Sequence, residues 1–188
     1  MTRIVSPEEF ATTFDAVVRS RESRVASLWW DLPRFTRLML AESRGILREA
    51  ADNLELQYCQ EYRKIDAIMC EKVDTDNFPP KQWPDYFMAE QLTVVIEHEQ
   101  NVDRSQDEMN KLSTYNSPLK VLITYPDPDE EMTGAYLARY ADILRRADVF
   151  KDFGGKRKHL VIFGRLPEEG VHWESYVYRR GKFVPVAS

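Results

Sequence analysis

The sequence predicts a mixed α/β domain, a central β-sheet flanked by helices. Three observations point there. The apolar, β-branched runs at 92–96 and 119–125 read as strands buried on both faces, which is how central strands of a covered sheet look. The elements follow the order helix, three strands, helix, strand, helix, strands. A chain of 188 residues with 43% hydrophobic content carries enough apolar mass for one core and is one domain by size.

Ser6-Pro7-Glu8-Glu9 is a helix start, with Ser as N-cap, Pro in the first turn and Glu completing a capping box. Phe10, Phe14, Val17 and Val18 follow at helical spacing, so the first helix runs to about Ser20. Residues 1–31 read as an N-terminal helical arm. Asp31-Leu32-Pro33 opens a second, longer helix to about Asn53, with Phe35, Leu38, Met39 and Ile46 on its apolar stripe. Glu42 falls within that stripe and Glu49 close to it. Strands are expected at 54–59 and 64–70, joined by a short turn. Residues 74–90 break regularity with Pro79-Pro80 and Trp83-Pro84, and read as an aromatic, proline-rich insertion that covers a site or a partner surface or is folded surface. A third strand at 92–99, a helix at 103–115 with Met109 and Leu112 inward, and a fourth strand at 119–125 come next. A helix to about Asp148 is inward at Met132, Tyr136, Tyr140, Ile143 and Leu144. A fifth strand at 159–164 and a hairpin around Arg180-Gly181 close the chain.

No run of about 18 apolar residues suggests a membrane span, and the start lacks the apolar stretch of a secretion signal, so a cytoplasmic protein is expected. The formal charge of −5 argues against a protein that coats nucleic acid nonspecifically, yet the arginines cluster, as at Arg34/Arg37 and Arg44/Arg48. Two further basic clusters are Lys156-Arg157-Lys158 and Arg179-Arg180-Gly181-Lys182; solvated surface charge is the plain reading of each. A hairpin turning near Glu61-Tyr62 sets Cys59 opposite residue 64, about 20 Å from Cys70, so both thiols are expected free. No His-x-His or Cys-x-x-Cys pair supports zinc, no Gly-rich phosphate loop occurs, and no Gly-x-Ser-x-Gly elbow is present. A sugar hydrolase is disfavoured because two acids on one strand cannot flank a ring.

The chemistry-bearing segment is Leu92 through Asn101. Its apolar run ends in Glu97-His98-Glu99, and strand alternation sends both acids to one side. The strand upstream adds Asp66 in an apolar setting. Carboxylates gathered in low dielectric repel, and a hard divalent cation relieves that repulsion. The plain alternatives are a solvated strand end for Glu97 and Glu99, an ion pair of Asp66 with Lys64 or Arg63, and ordinary surface roles for Glu42, Glu49 and Lys111.

On Asp66, Glu97 and Glu99, and on the order helix, three-strand meander, helix, strand, the chain resembles the PD-(D/E)xK nuclease superfamily, the restriction-endonuclease-like fold, over about residues 32–125. The resemblance implies Asp66 and Glu97 as ligands of Mg²⁺ or Mn²⁺, with the backbone carbonyl of His98 as a third and Glu42 reaching a second ion through water. Glu99 stands where the family usually has Lys, as in the Glu-x-Glu subset of restriction enzymes. That departure leaves a Glu-type mechanism, a lysine moved to Lys111 or Lys64, or an inactive site. The implied activity is phosphodiester hydrolysis in DNA, with a homodimer expected by analogy with duplex cutters. The alternative is an inactive relative serving as a binding or assembly module.

Overall fold

The computed structural model describes residues 3–71, 92–127, 130–167 and 170–186. The expected insertion at 74–90 lies outside the described residues. Among the described residues, seven strands form one mixed sheet in sequential order. They are β1 (Gln57–Tyr62), β2 (Ile65–Cys70), β3 (Leu92–Glu99), β4 (Leu119–Thr124), β5 (Lys158–Arg165), β6 (His172–Arg179) and β7 (Lys182–Pro185). The first three form an antiparallel meander, β3, β4 and β5 are parallel, and the last two pairs are antiparallel.

Helices cover both faces, giving the expected mixed α/β class. One face carries α1 (Pro7–Ser20), α2 (Glu22–Leu28), α3 (Leu32–Leu40) and α4 (Ile46–Asn53). Their side chains Phe10, Phe14, Phe35 and Leu47 share a core with Ala67, Met69, Ile96, Val121 and Ile162. The other face carries α5 (Ser105–Ser113) and α6 (Glu130–Ala147), packed on Ile68, Val95, Leu122 and Val161. The alternation of these two sets along each strand is the pleat itself. Among the described residues no helix is long and apolar enough to cross a membrane.

The predicted long helix at 31–53 is two helices. The chain leaves helical geometry at Ala41 (ψ 135°) and turns through Arg44 at φ 65° before α4 begins at Ile46, with Gly45 as its N-cap. Glu42 therefore sits exposed in a turn and not on an inward stripe, a correction of the sequence expectation. Within the N-terminal helical arm, Glu22–Leu28 forms a second helix, α2, after the first ends at Ser20.

The predicted first strand is also displaced. Leu54 and Leu56 alternate like strand residues, but they close α4: Glu55 N–H bonds to Asp52 O and Leu56 N–H to Ala51 O, with Glu55 at φ 58°. This is a Schellman ending, with Glu in the left-handed position usually given to Gly. The β1–β2 register follows from that shift. Cys59 pairs with Ile68, so Cys70 lies two positions further along the same face and not six; both thiols are free. On α6, Tyr136, Tyr140 and Leu144 are buried as expected, Ile143 is half-buried, and Met132 is 44% exposed.

Gly45 is required by space. Its φ of −71° is ordinary, but a Cβ there would stand 2.3 Å from Ala41 O and 2.8 Å from Ala41 N. Gly45→Ala is expected to destabilise the fold by about 2 kcal/mol or more, because backbone atoms would have to shift. Chemical denaturation measures this, and an unchanged midpoint would contradict the packing at the α3–α4 turn.

Candidate metal centre

The site begins with a register. Ala67 pairs with Ile96 and Ile68 with Val95, so the same antiparallel ladder sets Asp66 opposite Glu97. Both project to the face covered by α5 and α6, since Ile68 and Val95 beside them are buried there. Directly opposed positions hold their Cβ atoms about 5 Å apart. Asp66 Oδ2 accepts a hydrogen bond from His98 N–H at 2.8 Å, which ties the end of β3 to β2. N–H and C=O of one strand residue point to the same edge, so the His98 carbonyl also faces Asp66's side.

The third member comes from α5. Lys111 Nζ lies 2.9 Å from Glu97 Oε1, at contact distance but off the hydrogen-bonding direction, and 2.5 Å from Glu108 Oε2. It also donates to Lys64 O at 3.1 Å, while Tyr115 Oη donates to Arg63 O at 3.0 Å. Those two carbonyls belong to the β1–β2 turn, where Arg63 and Lys64 both adopt positive φ (49° and 69°). Two-residue hairpins with this twist prefer Asn-Gly. Here Lys111 of α5 and Tyr115 just beyond it hold a strained, glycine-free turn, and the turn in turn locates Lys111.

Glu97 is 1% exposed. Burial pushes its carboxyl up to about 9, helped by Asp66 and Glu108 and opposed by Lys111. The acid is therefore protonated at neutral pH in the metal-free chain. Burial works against the Lys111 charge, but Glu108 and Glu97 outweigh it and raise the amine to about 12. Lys111 is a cation fixed beside an acid that has kept its proton.

The remaining expected residues fall around this core. Glu99 is half-buried on the Glu97 side of β3 and its Oε1 accepts Asn101 N–H at 2.7 Å. The His98 ring points to the other face, where Nε2 meets Tyr125 Oη at 2.7 Å; burial lowers its pKa to about 4 and keeps it neutral. Glu49 is paired with Arg21, an ordinary structural role. Lys64 contributes its carbonyl, and Lys111 is the lysine that reaches Glu97. Glu42 raises the Tyr58 phenol pKa together with Asp66, after burial, but does not join a three-group cluster. Glu108 was not singled out from the sequence, although its i,i+3 spacing to Lys111 is visible there.

Among the described residues no three His, Cys, Asp or Glu side chains converge on one point. The donors on offer are two carboxylates and a main-chain carbonyl. This suits Mg²⁺, which keeps several waters and takes only one or two protein carboxylates, and does not suit an all-protein cage. The chain matches no family model and no curated protein.

Between pH 4.5, the ordinary value for the carboxyl, and about 9, folded Glu97 holds a proton that the unfolded chain has released. Stability contributed by that proton is complete below the lower value and is lost as pH rises, by up to about 1.4 kcal/mol per unit. Glu97→Gln removes the titration. Its stability relative to the wild type is expected to increase from pH 5 to pH 8 in thermal melts, and a pH-independent difference would contradict a buried protonated Glu97.

Proposed function

We propose that this protein is a metal-dependent phosphodiester hydrolase acting on DNA, built on a restriction-endonuclease-like core. The observation that carries the reading is the juxtaposition of Asp66, Glu97 and Lys111 on adjoining elements of a helix, three-strand meander, helix, strand unit. Asp66, Glu97 and the His98 carbonyl are the ligands this reading assigns to Mg²⁺ or Mn²⁺. Such an ion, once bound, polarises the phosphate and lowers the pKa of an attacking water.

The chain's own residues do the rest. Lys111 supplies fixed positive charge next to the scissile phosphate, the job that the family lysine does from β3. Stabilising charge that develops only in the transition state is the larger part of such catalysis. Glu99 supplies a carboxylate on the same side of β3, able to take the proton of the attacking water. Asp66, held by His98 N–H, keeps its oxygens aimed between β2 and β3. Homodimeric assembly belongs to the same reading where the substrate is duplex DNA.

The second reading, an inactive relative acting as a binding or assembly module, is favoured by one observation. Glu97 keeps its proton and Lys111 is paired with Glu108, so the site is electrostatically settled without a cation.

Plasmid and single-stranded DNA incubated with Mg²⁺ or Mn²⁺ separate the two. Wild type is expected to cleave, and Asp66→Asn, Glu97→Gln and Lys111→Met each to lose about a hundredfold or more. Lys111→Met is expected to lose turnover while retaining Mn²⁺ binding in calorimetry. A wild type that neither cleaves nor binds the ion, with variants that match it throughout, ends the hydrolase reading.

A further inference from the structure

The N-terminal helices carry an unusual charge pattern. The chain is acidic overall, yet residues 19–48 hold seven arginines against three acids, and the first lysine occurs only at position 64. Arg is the residue suited to phosphate, because its planar fork donates to two oxygens at once.

The fold gathers these arginines. A groove of about 550 Å³ between α2, α3 and the α3–α4 turn is lined by Arg24, Arg34, Arg37 and Arg44. All four are exposed. Arg34 contacts Asp31 at 3.4 Å; among the described residues no acid lies within ion-pair distance of Arg24, Arg37 or Arg44. Arg44 is held at φ 65°, and its carbonyl is capped by Arg21 Nη1 at 2.6 Å, so the turn that presents it is fixed. Like charges left together without acids create a positive potential that a polyanion relieves.

The groove continues towards the carboxylates. Arg37, Ala41 and Ser43 also line a second hollow, which sets Arg48 against the acids Glu42 and Glu61 and ends on Gln60 and Glu61 of β1. Gln60 pairs with Ala67 and Tyr62 with Ile65, which leaves Glu61 opposite Asp66. The hollow therefore ends at the β1 edge of the sheet, with Glu61 on the side of Asp66, and a strand that rounds this edge passes Glu42 and Glu61. Duplex DNA is stiff over about 150 base pairs and does not follow so tight a path without distortion, whereas a single strand does.

An aromatic platform stands at the α2–α3 junction. Trp29 is buried against Phe35, Tyr125 and Trp173 at ring separations of 5.3, 5.4 and 6.0 Å. This anchors the α2–α3 junction and leaves its neighbour Trp30 81% exposed. Trp30 lines a neighbouring hollow with Leu32 and Phe35, two residues along the chain from Leu28 of the arginine groove. Exposed rings together with arginines serve single-stranded nucleic acids, bases stacked and phosphates neutralised.

We propose that the Arg24–Arg34–Arg37–Arg44 groove and Trp30 form a binding track for a single-stranded polynucleotide that leads to the Asp66–Glu97 carboxylates. The track names the substrate form for the hydrolase reading and rests on it only for its direction. Binding itself is independent of metal.

The test is fluorescence anisotropy with a labelled oligothymidylate of about 20 nucleotides and its duplex with oligoadenylate, in EDTA, over a salt series. Wild type is expected to prefer the single strand. Arg24→Glu/Arg37→Glu is expected to weaken it at least tenfold and to flatten the log–log salt slope by about 1.4, at about 0.7 for each phosphate no longer neutralised. Arg24→Gln/Arg37→Gln provides the milder version, with thermal melts checking the fold of both. Trp30→Ala is expected to weaken the single strand by roughly tenfold and the duplex little. Wild-type affinity in both arginine variants, or equal binding of strand and duplex unaffected by Trp30→Ala, overturns the track. Strand binding with these dependences but no cleavage under Mg²⁺ or Mn²⁺ sinks the hydrolase reading alone and leaves the track standing. Cleavage with unchanged binding in the arginine variants does the reverse.

Discussion

The antiparallel register between β2 and β3 is the constraint on which the site depends. It sets Asp66 opposite Glu97 on one face. A slip of one residue would send one acid to the helical face packed by α1–α4 and dissolve the pair. The register is secured by apolar alternation on both sides of the sheet, with Ala67, Met69 and Ile96 buried one way and Ile68 and Val95 the other. The acids are thus brought together by the packing of hydrophobic residues one to three positions away, against the cost of burying a charge.

That cost explains the surroundings. A carboxyl as buried as Glu97 stays in place by keeping a proton or by acquiring a cation. The chain supplies both in part, a pKa near 9 and the Lys111 ammonium at 2.9 Å. Lys111 is positioned by more than its charge, since α5 is tied to the two carbonyls of a hairpin turn built from Arg63 and Lys64 at positive φ. Backbone strain of this sort persists where neighbouring structure over-determines it, and it occurs here beside the acids.

Much of this was legible in the sequence. The runs at 92–96 and 119–125 announced β3 and β4, and alternation alone put Glu97 and Glu99 on one side. Lys111 was visible as a lysine on the helix after the third strand. What was not legible depended on turn geometry. Nothing in the pattern of 31–53 marks the break at Ala41 except Gly45, whose role is steric and visible only once Ala41 O is in place. Leu54 and Leu56 imitate a strand because a Schellman ending and a strand both alternate apolar residues over so short a stretch. That misreading displaced the predicted register and with it the separation of Cys59 from Cys70. The convergence of Arg24 with Arg34, Arg37 and Arg44 likewise needed the α2–α3 junction, where the helical arm breaks between Leu28 and Leu32.

Crystals soaked in Mn²⁺ and measured at the manganese absorption edge test the central claim most directly. The account predicts an anomalous peak between the Asp66 and Glu97 carboxylates, about 2.1 Å from an oxygen of each, with Lys111 Nζ drawn off Glu97 towards Glu108. A peak elsewhere, or none, with Lys111 still against Glu97, would contradict it.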